Sequence, residues 1–438
     1  MKRAKIRSLM KIVDKTAIPA ELDRRENSSA EMTKLDEDVK KIVEEVKKRG
    51  DAALIEFTRK FDNVSLRQED LKVKQREIED AYRNVGEKEV SAIKAMKERI
   101  ESLEGRILEK MTTEVQINGI KVKFRIDPIE SVGCYVPGGI AAYPSTLVMT
   151  ATPAKLACVP RVVVCSPPRN NGSVNPLTLV AADVCGVDEF YKVGGAQAIA
   201  AMAYGTETIK SVLKIVGPGN KYVAAVKRLI SKDVAIDMPA GPSELLILAD
   251  DSADPRLIAL DLCSQAEHGP DSIVGLVTTS KGLVQRVLKE LSEIVEEIPR
   301  KEIVIKALRD KGFILLCDNI NEMIEFANRF APEHVEVMTD HAENIADMIR
   351  NAGLVLVGPY SPAALSDYYC GTNHVLPTGG FGKMFSGLSV LDFVRKVAIV
   401  SCSREGIQGA LGVVKILAEA EGLPNHYRAL EGRLKVEN

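Results

Sequence analysis

Tryptophan is missing altogether and histidine is scarce, five residues in 438. The first absence excludes nothing. The second makes every histidine worth locating, because imidazole is the side chain that exchanges protons near neutral pH. No charge of one sign prevails: 59 Lys and Arg stand against 61 Asp and Glu, a net charge of −2. That balance excludes the basic excess of a nucleic-acid binder. No apolar run approaches the ~18 residues of a membrane-spanning helix. The basic start, Met1 to Lys15, lacks the continuous apolar stretch of a secretory signal. The eight cysteines (Cys134, Cys158, Cys165, Cys185, Cys263, Cys317, Cys370 and Cys402) form no CxxC pair, and several sit in apolar runs. They read as free thiols in a reducing compartment, hence a cytoplasmic protein. Also missing is a G-x-G-x-x-G opening a helix after a strand, so the standard dinucleotide fingerprint is absent.

What is present is ordinary in bulk and particular in detail. At roughly 100–200 residues per domain the chain has room for two to three domains, and 45% hydrophobic with 27% charged residues is the make-up of a globular protein. Residues 1–29 are polar and read as an arm. From Thr33 the pattern is helical, with Thr33 and Asp36 as a capping box and Val39, Ile42, Val43 and Val46 at helical spacing. Gly50 stops that helix and Asp51 is placed to cap the next. A charged amphipathic stretch runs from Arg76 to Glu109. Beyond residue 112, short apolar runs alternate with Ala-rich helical segments: Arg161–Cys165, Glu189–Val193, Glu244–Ala249, Ser272–Thr279, Phe313–Cys317, Val335–Thr339 and Gly353–Val357. Continuous apolarity predicts strands buried on both faces, and alternation with helices predicts parallel sheets with right-handed crossovers. The expected fold is α/β with two sheets, divided near residue 243.

Four of the five histidines, among His268, His334, His341, His374 and His426, lie beside Gly, Pro or Asn at an element boundary, where sites tend to be built. His268 ends a helix that Asp254 caps and Pro255 opens, with Gly269 suited to its C-terminal stop and Pro270 preventing continuation. Gln265 and His268 are then i, i+3 on one face, an amide and an imidazole able to hold a metal. A histidine favoured by the negative helix end is the plainer reading. Glu333 and His334 follow Pro332 at a helix–strand junction. Neighbours on a regular strand point to opposite faces, so both serve one pocket only where the backbone is irregular; otherwise they are a solvated pair. Asp367, Asn373 and His374 sit on a Gly-rich segment too polar for core. His341 reads as a structural helix start. Glycine loops occur at Gly133–Gly139, Gly194-Gly195-Ala-Gln197 and Gly217-Pro-Gly219-Asn220, equally suited to tight turns and to phosphate.

Taken together, Tyr135-Val-Pro-Gly-Gly139, Gly194-Gly-Ala-Gln197, Val216-Gly-Pro-Gly-Asn220, Asp237-Met-Pro-Ala-Gly-Pro-Ser243-Glu, Ser264-Gln265-Ala-Glu-His268-Gly-Pro-Asp, Ala331-Pro-Glu333-His334 and Gly371-Thr-Asn-His374-Val-Leu-Pro-Thr resemble the blocks of the histidinol dehydrogenases, in order from about residue 30 to 430. The resemblance implies an oxidoreductase of histidine biosynthesis that takes L-histidinol through L-histidinal to L-histidine with Zn2+ and two NAD. It implies zinc ligands at Gln265, His268, Asp367 and His426, and bases at Glu333 and His334. Further substrate contacts fall at Ser243, His374 and Glu421, and cofactor contacts at Tyr135, Gln197 and Asn220. It also implies two incomplete Rossmann-like domains (30–133 with 244–388, and 134–243) and small terminal arms, 1–29 and 389–438. The second arm would be exchanged in a homodimer with shared sites. The segment Ser366-Asp-Tyr-Tyr-Cys370 carries bulkier residues around its Asp than the family uses. Other readings of the same residues are a zinc/NAD dehydrogenase of another amino or polyol alcohol, a metal-dependent hydrolase with water activated by Glu333, or a small-molecule binding protein without catalysis.

Overall fold

A strand with no polar alternate has nowhere to put a solvent face, so each apolar run beyond residue 160 is expected between two layers of helix. The structure is a computed structural model describing residues 9–13, 29–111, 113–138, 142–239 and 241–435. After β1 (Lys11–Val13) come four helices, α1 (Ser29–Arg49), α2 (Asp51–Asp62), α3 (Gln75–Arg83) and α4 (Glu87–Glu109). A hairpin follows, β2 (Glu114–Ile117) and β3 (Ile120–Pro128), turned by Asn118-Gly119 with both residues at positive φ. The first alternating stretch is β4 (Ser131–Tyr135), α5 (Pro144–Leu156), β5 (Arg161–Cys165), α6 (Pro176–Cys185), β6 (Glu189–Tyr191), α7 (Gly195–Tyr204), β7 (Lys214–Val216), α8 (Lys221–Ile230) and β8 (Ala235–Ile236). The second is β9 (Glu244–Ala249), α9 (Pro255–Ala266), β10 (Ile273–Thr278), α10 (Lys281–Glu297), α11 (Lys301–Asp310), β11 (Phe313–Leu316), α12 (Ile320–Phe330), β12 (His334–Met338), α13 (Ala342–Ala346), β13 (Leu354–Val357) and α14 (Ala363–Tyr368). The described chain ends in β14 (Val394–Cys402), α15 (Arg404–Ala420) and α16 (Pro424–Leu434).

Both alternating stretches make the same sheet. One has the order β6-β5-β4-β7-β8, the other β11-β10-β9-β12-β13 with β1 added beside β11, and every pairing in both is parallel. The third sheet, β14-β3-β2, is antiparallel. On the larger sheet Leu245, Ile247 and Met338 face a core shared with Ile258, Leu262 and Ala363, while Leu246, Leu248, Val335 and Val337 face Met323, Phe326 and Phe330. The seven strands expected from apolar runs are all present, to within two residues at either end.

Several expectations are corrected. Residues 131–135, read as the start of a glycine loop, form the fully buried centre of a sheet; Gly133 is there because a Cβ would strike the Met202 sulfur at 2.5 Å. Helix α1 begins at Ser29, so Thr33 and Asp36 lie inside it and do not cap it. Asp51 is the first residue of α2 and turns instead to the Gln68 amide and the Thr208 hydroxyl. Gly269 is not in the left-handed region, and α9 ends through a right-handed Glu267. The grouping of 30–133 with 244–388 does not describe the packing. Helix α1 lies on α7 and α8, α3 on α6, and α4 on α5 and α6, so the early helices share the core of the five-stranded sheet. Val375, Leu388, Val390 and Phe393 join that same core. The reason is steric: the stripe Val39, Ile42, Val43 and Val46 meets the small, Ala-rich surface of α7. The segment from residue 389 contributes the strand β14 in addition to its two helices. Of the expected arm 1–29, residues 1–8 and 14–28 lie outside the described residues.

Candidate active site

The chain reaches β9 through Ser243 and β12 through Glu333, and these two amino ends lie side by side because His334 pairs with Leu245. Ala331 at φ 49° stops α12, and Glu333 falls in the bend before the strand proper. That irregularity brings Glu333 Oε2 to 3.7 Å from His334 Nδ1. The Glu333 Oε2 accepts the Glu244 N–H at 2.8 Å, and the Glu333 N–H donates to Glu244 Oε2 at 3.3 Å. The Gly379 N–H donates to the other Glu244 oxygen at 3.0 Å. Burial, more than the neighbouring Glu244 and Asp367, drives the Glu333 carboxyl well above the usual range, partly offset by its backbone hydrogen bond.

His334 is fully enclosed. Its Nδ1 lies 3.3 Å from the Glu244 carbonyl, which can only accept, so Nδ1 carries the hydrogen and Nε2 is the bare nitrogen. Among the described residues that Nε2 is buried with no hydrogen-bond partner, and it faces Asp367 Oδ1 at 4.0 Å. Burial lowers its pKa to about 4, keeping the ring neutral. His374 is similarly held at about 4, its Nδ1 donating to the Asp367 carbonyl and its Nε2 taking the Thr146 hydroxyl at 3.2 Å. His268 stands at the exposed side with Nδ1 3.4 Å from the Ser243 hydroxyl, and its pKa is lowered by desolvation despite nearby Glu267. Gln265 is buried one turn earlier on α9, the helix that packs against α14 and Asp367. Burial raises the Asp367 carboxyl to about 7, and no Lys or Arg pairs with it among the described residues.

A divalent cation suits this group. Asp367 lacks a cationic neighbour, His268 is held neutral, and an amide, an imidazole and a carboxylate are the N and O donors that zinc accepts. Among the described residues no three His, Cys, Asp or Glu side chains form a metal group by themselves. Glu421 and His426 are not brought to this site: both are exposed, on α15–α16, a helix pair closed by the Arg404 guanidinium on the Leu434 carbonyl at 2.8 Å.

The expected cofactor residues lie at the carboxyl ends of the other sheet. There β5 and β6 lie to one side of β4 and β7 to the other, so the crevice between β4 and β7 is the switch point where doubly wound sheets take ligands. Its backbone is already clamped. Tyr135 accepts the Gly195 N–H through its hydroxyl at 3.0 Å, and Asn220 caps α8 by accepting from Tyr222 and Val223. Gln197 is buried in the first turn of α7. Gly217 has φ 115°, donates its N–H to Asp237 and receives the Lys227 ammonium on its carbonyl, each at 2.8 Å, while Lys227 and Asp237 pair with one another out of water. Helix α5 also touches the segment after α14: Thr146 reaches His374, and Asn373 donates to the Met149 carbonyl at 2.7 Å.

Sequence reasoning overlooked Glu244 and Glu336, both buried. A signal existed in each case, an acid within an otherwise apolar strand.

A family model described as histidinol dehydrogenase matches residues 24–434. The chain is 46% identical over 398 residues to the histidinol dehydrogenase of Methanocaldococcus jannaschii, covering 91% of this chain and 92% of that one. It is 45% identical over 413 residues to that of Clostridium acetobutylicum, covering 94% and 95%. The crystal structure of histidinol dehydrogenase from Elizabethkingia anophelis superposes with a TM-score of 0.92 at 36% identity, covering 98% of both chains. Two like-wired parallel sheets and a buried Glu-His pair are therefore the frame of a known enzyme family, and this chain belongs to the histidinol dehydrogenases.

Proposed function

We propose that this protein oxidises L-histidinol through L-histidinal to L-histidine, using Zn2+ and two NAD, in the cytoplasm. The observation that carries the reading is the bare, buried Nε2 of His334. A neutral imidazole with its other nitrogen tied to the Glu244 carbonyl presents one lone pair towards Asp367, where a substrate hydroxyl would lie. It takes the hydroxyl proton as hydride departs, and its low basicity makes it hand that proton on. Glu333, with a raised pKa and one oxygen held by the Glu244 N–H, accepts a proton from the water that adds to the aldehyde. Gln265, His268 and Asp367, with His426 of a second copy, would hold the zinc, which supplies a Lewis-acidic anchor for substrate nitrogen when bound. Ser243 and Glu421 would orient the substrate. His374, with both nitrogens engaged, would shape the pocket wall.

Tyr135, Gln197 and Asn220 would line the NAD side, fixing the loops that receive it. NAD supplies the hydride acceptor; the residues supply orientation. A second copy is supported by the arm itself: Val413, Ile416, Leu417 and Leu423 are exposed together with Glu421 and His426. A homodimer with two composite sites would cover that face.

The test is absorbance at 340 nm with L-histidinol and NAD. Two NADH should form per histidinol, cease on chelation and return with added zinc. Absence of NADH with the zinc-loaded protein would overturn the proposal.

A further inference from the structure

Glu336 is an acid in the wrong place. It lies mid-strand on β12, 1% exposed, on the face whose neighbours are Leu245, Ile247, Leu262, Met338 and Leu356. Strand alternation puts it on the same face as His334, two residues away. Nothing in the reaction described above uses it. A carboxyl withdrawn from water into apolar packing is costly unless each oxygen is engaged.

Its engagements are specific. One oxygen, Oε1, accepts the Ala363 N–H at 2.7 Å; Ala363 is the first residue of α14, the short helix that carries Asp367. Its other oxygen, Oε2, is buried with no donor among the described residues, and the group beside the carboxyl is that of Asp261, on α9. Asp261 is one turn before Gln265, on the helix that ends at His268. Two carboxyls side by side out of water are compatible only when a proton lies between them, and burial raises the pKa of both.

We propose that the Asp261–Glu336 carboxyl pair is a positioning device, a buried brace that holds α9 and α14 at a set spacing across the strand bearing His334. The three candidate zinc ligands of one chain lie on or beside these two helices, so the brace fixes the half-shell before metal arrives. This rests on the zinc reading of Gln265, His268 and Asp367. Partners of this kind, acting through the ligands, typically contribute 10–100-fold to metal affinity.

The experiment uses the full-length protein and measures zinc affinity by chelator competition, with thermal unfolding of the metal-free protein alongside. Glu336→Leu removes the acceptor of the Ala363 N–H and the carboxyl beside Asp261 at similar bulk and should weaken zinc about 10–100-fold, with the metal-free protein as stable as native or more so. Glu336→Gln keeps an acceptor for Ala363 and gives Asp261 an N–H, and should hold zinc within about threefold of native. Asp261→Ala, at a half-buried position less able to disrupt folding, should weaken zinc by a smaller factor, and decides the matter if Glu336→Leu does not fold. At saturating zinc the Leu variant should regain most of its kcat. Native-like zinc affinity in both Glu336→Leu and Asp261→Ala would overturn the proposal, as would equal losses in the Leu and Gln variants. A native protein that binds no zinc would overturn both this proposal and the zinc reading beneath it. Native zinc binding with unaffected variants would overturn the brace alone.

Discussion

The two parallel sheets have one wiring diagram and opposite working ends. In the five-stranded sheet the glycine turns follow the carboxyl ends of β4 and β7, where doubly wound sheets ordinarily receive ligands. In the larger sheet Ser243, Glu244, Glu333 and His334 sit at the amino ends of β9 and β12. Helix α5 of the five-stranded sheet touches the segment that follows α14, through Thr146 to His374 and Met149 to Asn373. The lesson is that topology locates only half of this site. Crossovers leave the carboxyl ends of a sheet rich in loops with free N–H groups, which suits phosphate; the amino ends offer buried, enclosed positions, which suits groups whose pKa must be moved.

The contrast can be broken from either side, and the largest effect belongs to the amino edge. His334→Asn should lower kcat for histidinol oxidation about 10²–10⁴-fold while zinc content and NAD affinity stay near native. Glu333→Gln should slow oxidation of supplied histidinal more than that of histidinol, since only the aldehyde step consumes water; equal slowing of both would remove the water-activating role. At the carboxyl edge, Gly217→Ala places a Cβ 2.2 Å from the Tyr135 carbonyl at φ 115°. A cost of about 1–3 kcal/mol is expected, with NAD affinity down on the order of tenfold and zinc binding intact. Zinc loss in that variant would show that the two edges are not separable.

The smallest effect concerns the arm. Refolding His426→Ala chains with Glu333→Gln chains should return about a quarter of native activity if the arm acts in a partner's site. No return, with mixed dimers shown to form, would leave His426 acting within its own chain.

How much of this was legible in the sequence depends on whether a feature is local. Asp254 caps and Pro255 opens α9 as expected, because capping is decided by three or four neighbouring residues. The apolar strands announced themselves by having no solvent face. Ser131–Tyr135 did not, since its Gly, Ser and Cys resemble a loop until the Met202 side chain that occupies the missing volume is in view. The antiparallel sheet was illegible for a different reason. Its strands β2 and β14 are mostly exposed even where they are apolar, as at Ile399 and Val400, so burial does not mark them. Which sheet α1–α4 would cover is a matter of shape between distant surfaces, on which amphipathic spacing is silent. Of the site, the Glu333-His334, Gln265-His268 and Asp367 positions stood out as chemistry at element boundaries. Glu244 and Glu336 did not, because an acid in a strand normally faces water, and the apolar residues around them were the one sign that these two do not.

Strand β1 carries one consequence of a different kind. It completes the larger sheet by pairing Lys11 with Phe313 and Val13 with Leu315. A ribosome adding roughly 5–20 residues per second needs on the order of 15–60 s to travel between those positions. For that interval Lys11–Val13 lack their partner strand, although β9 and β10 of the same sheet are made before it. Until β1 arrives, β11 is an open hydrogen-bonding edge able to recruit any extended strand nearby. Strand β1 is thus made long before β11, and its docking covers the β11 edge of the sheet.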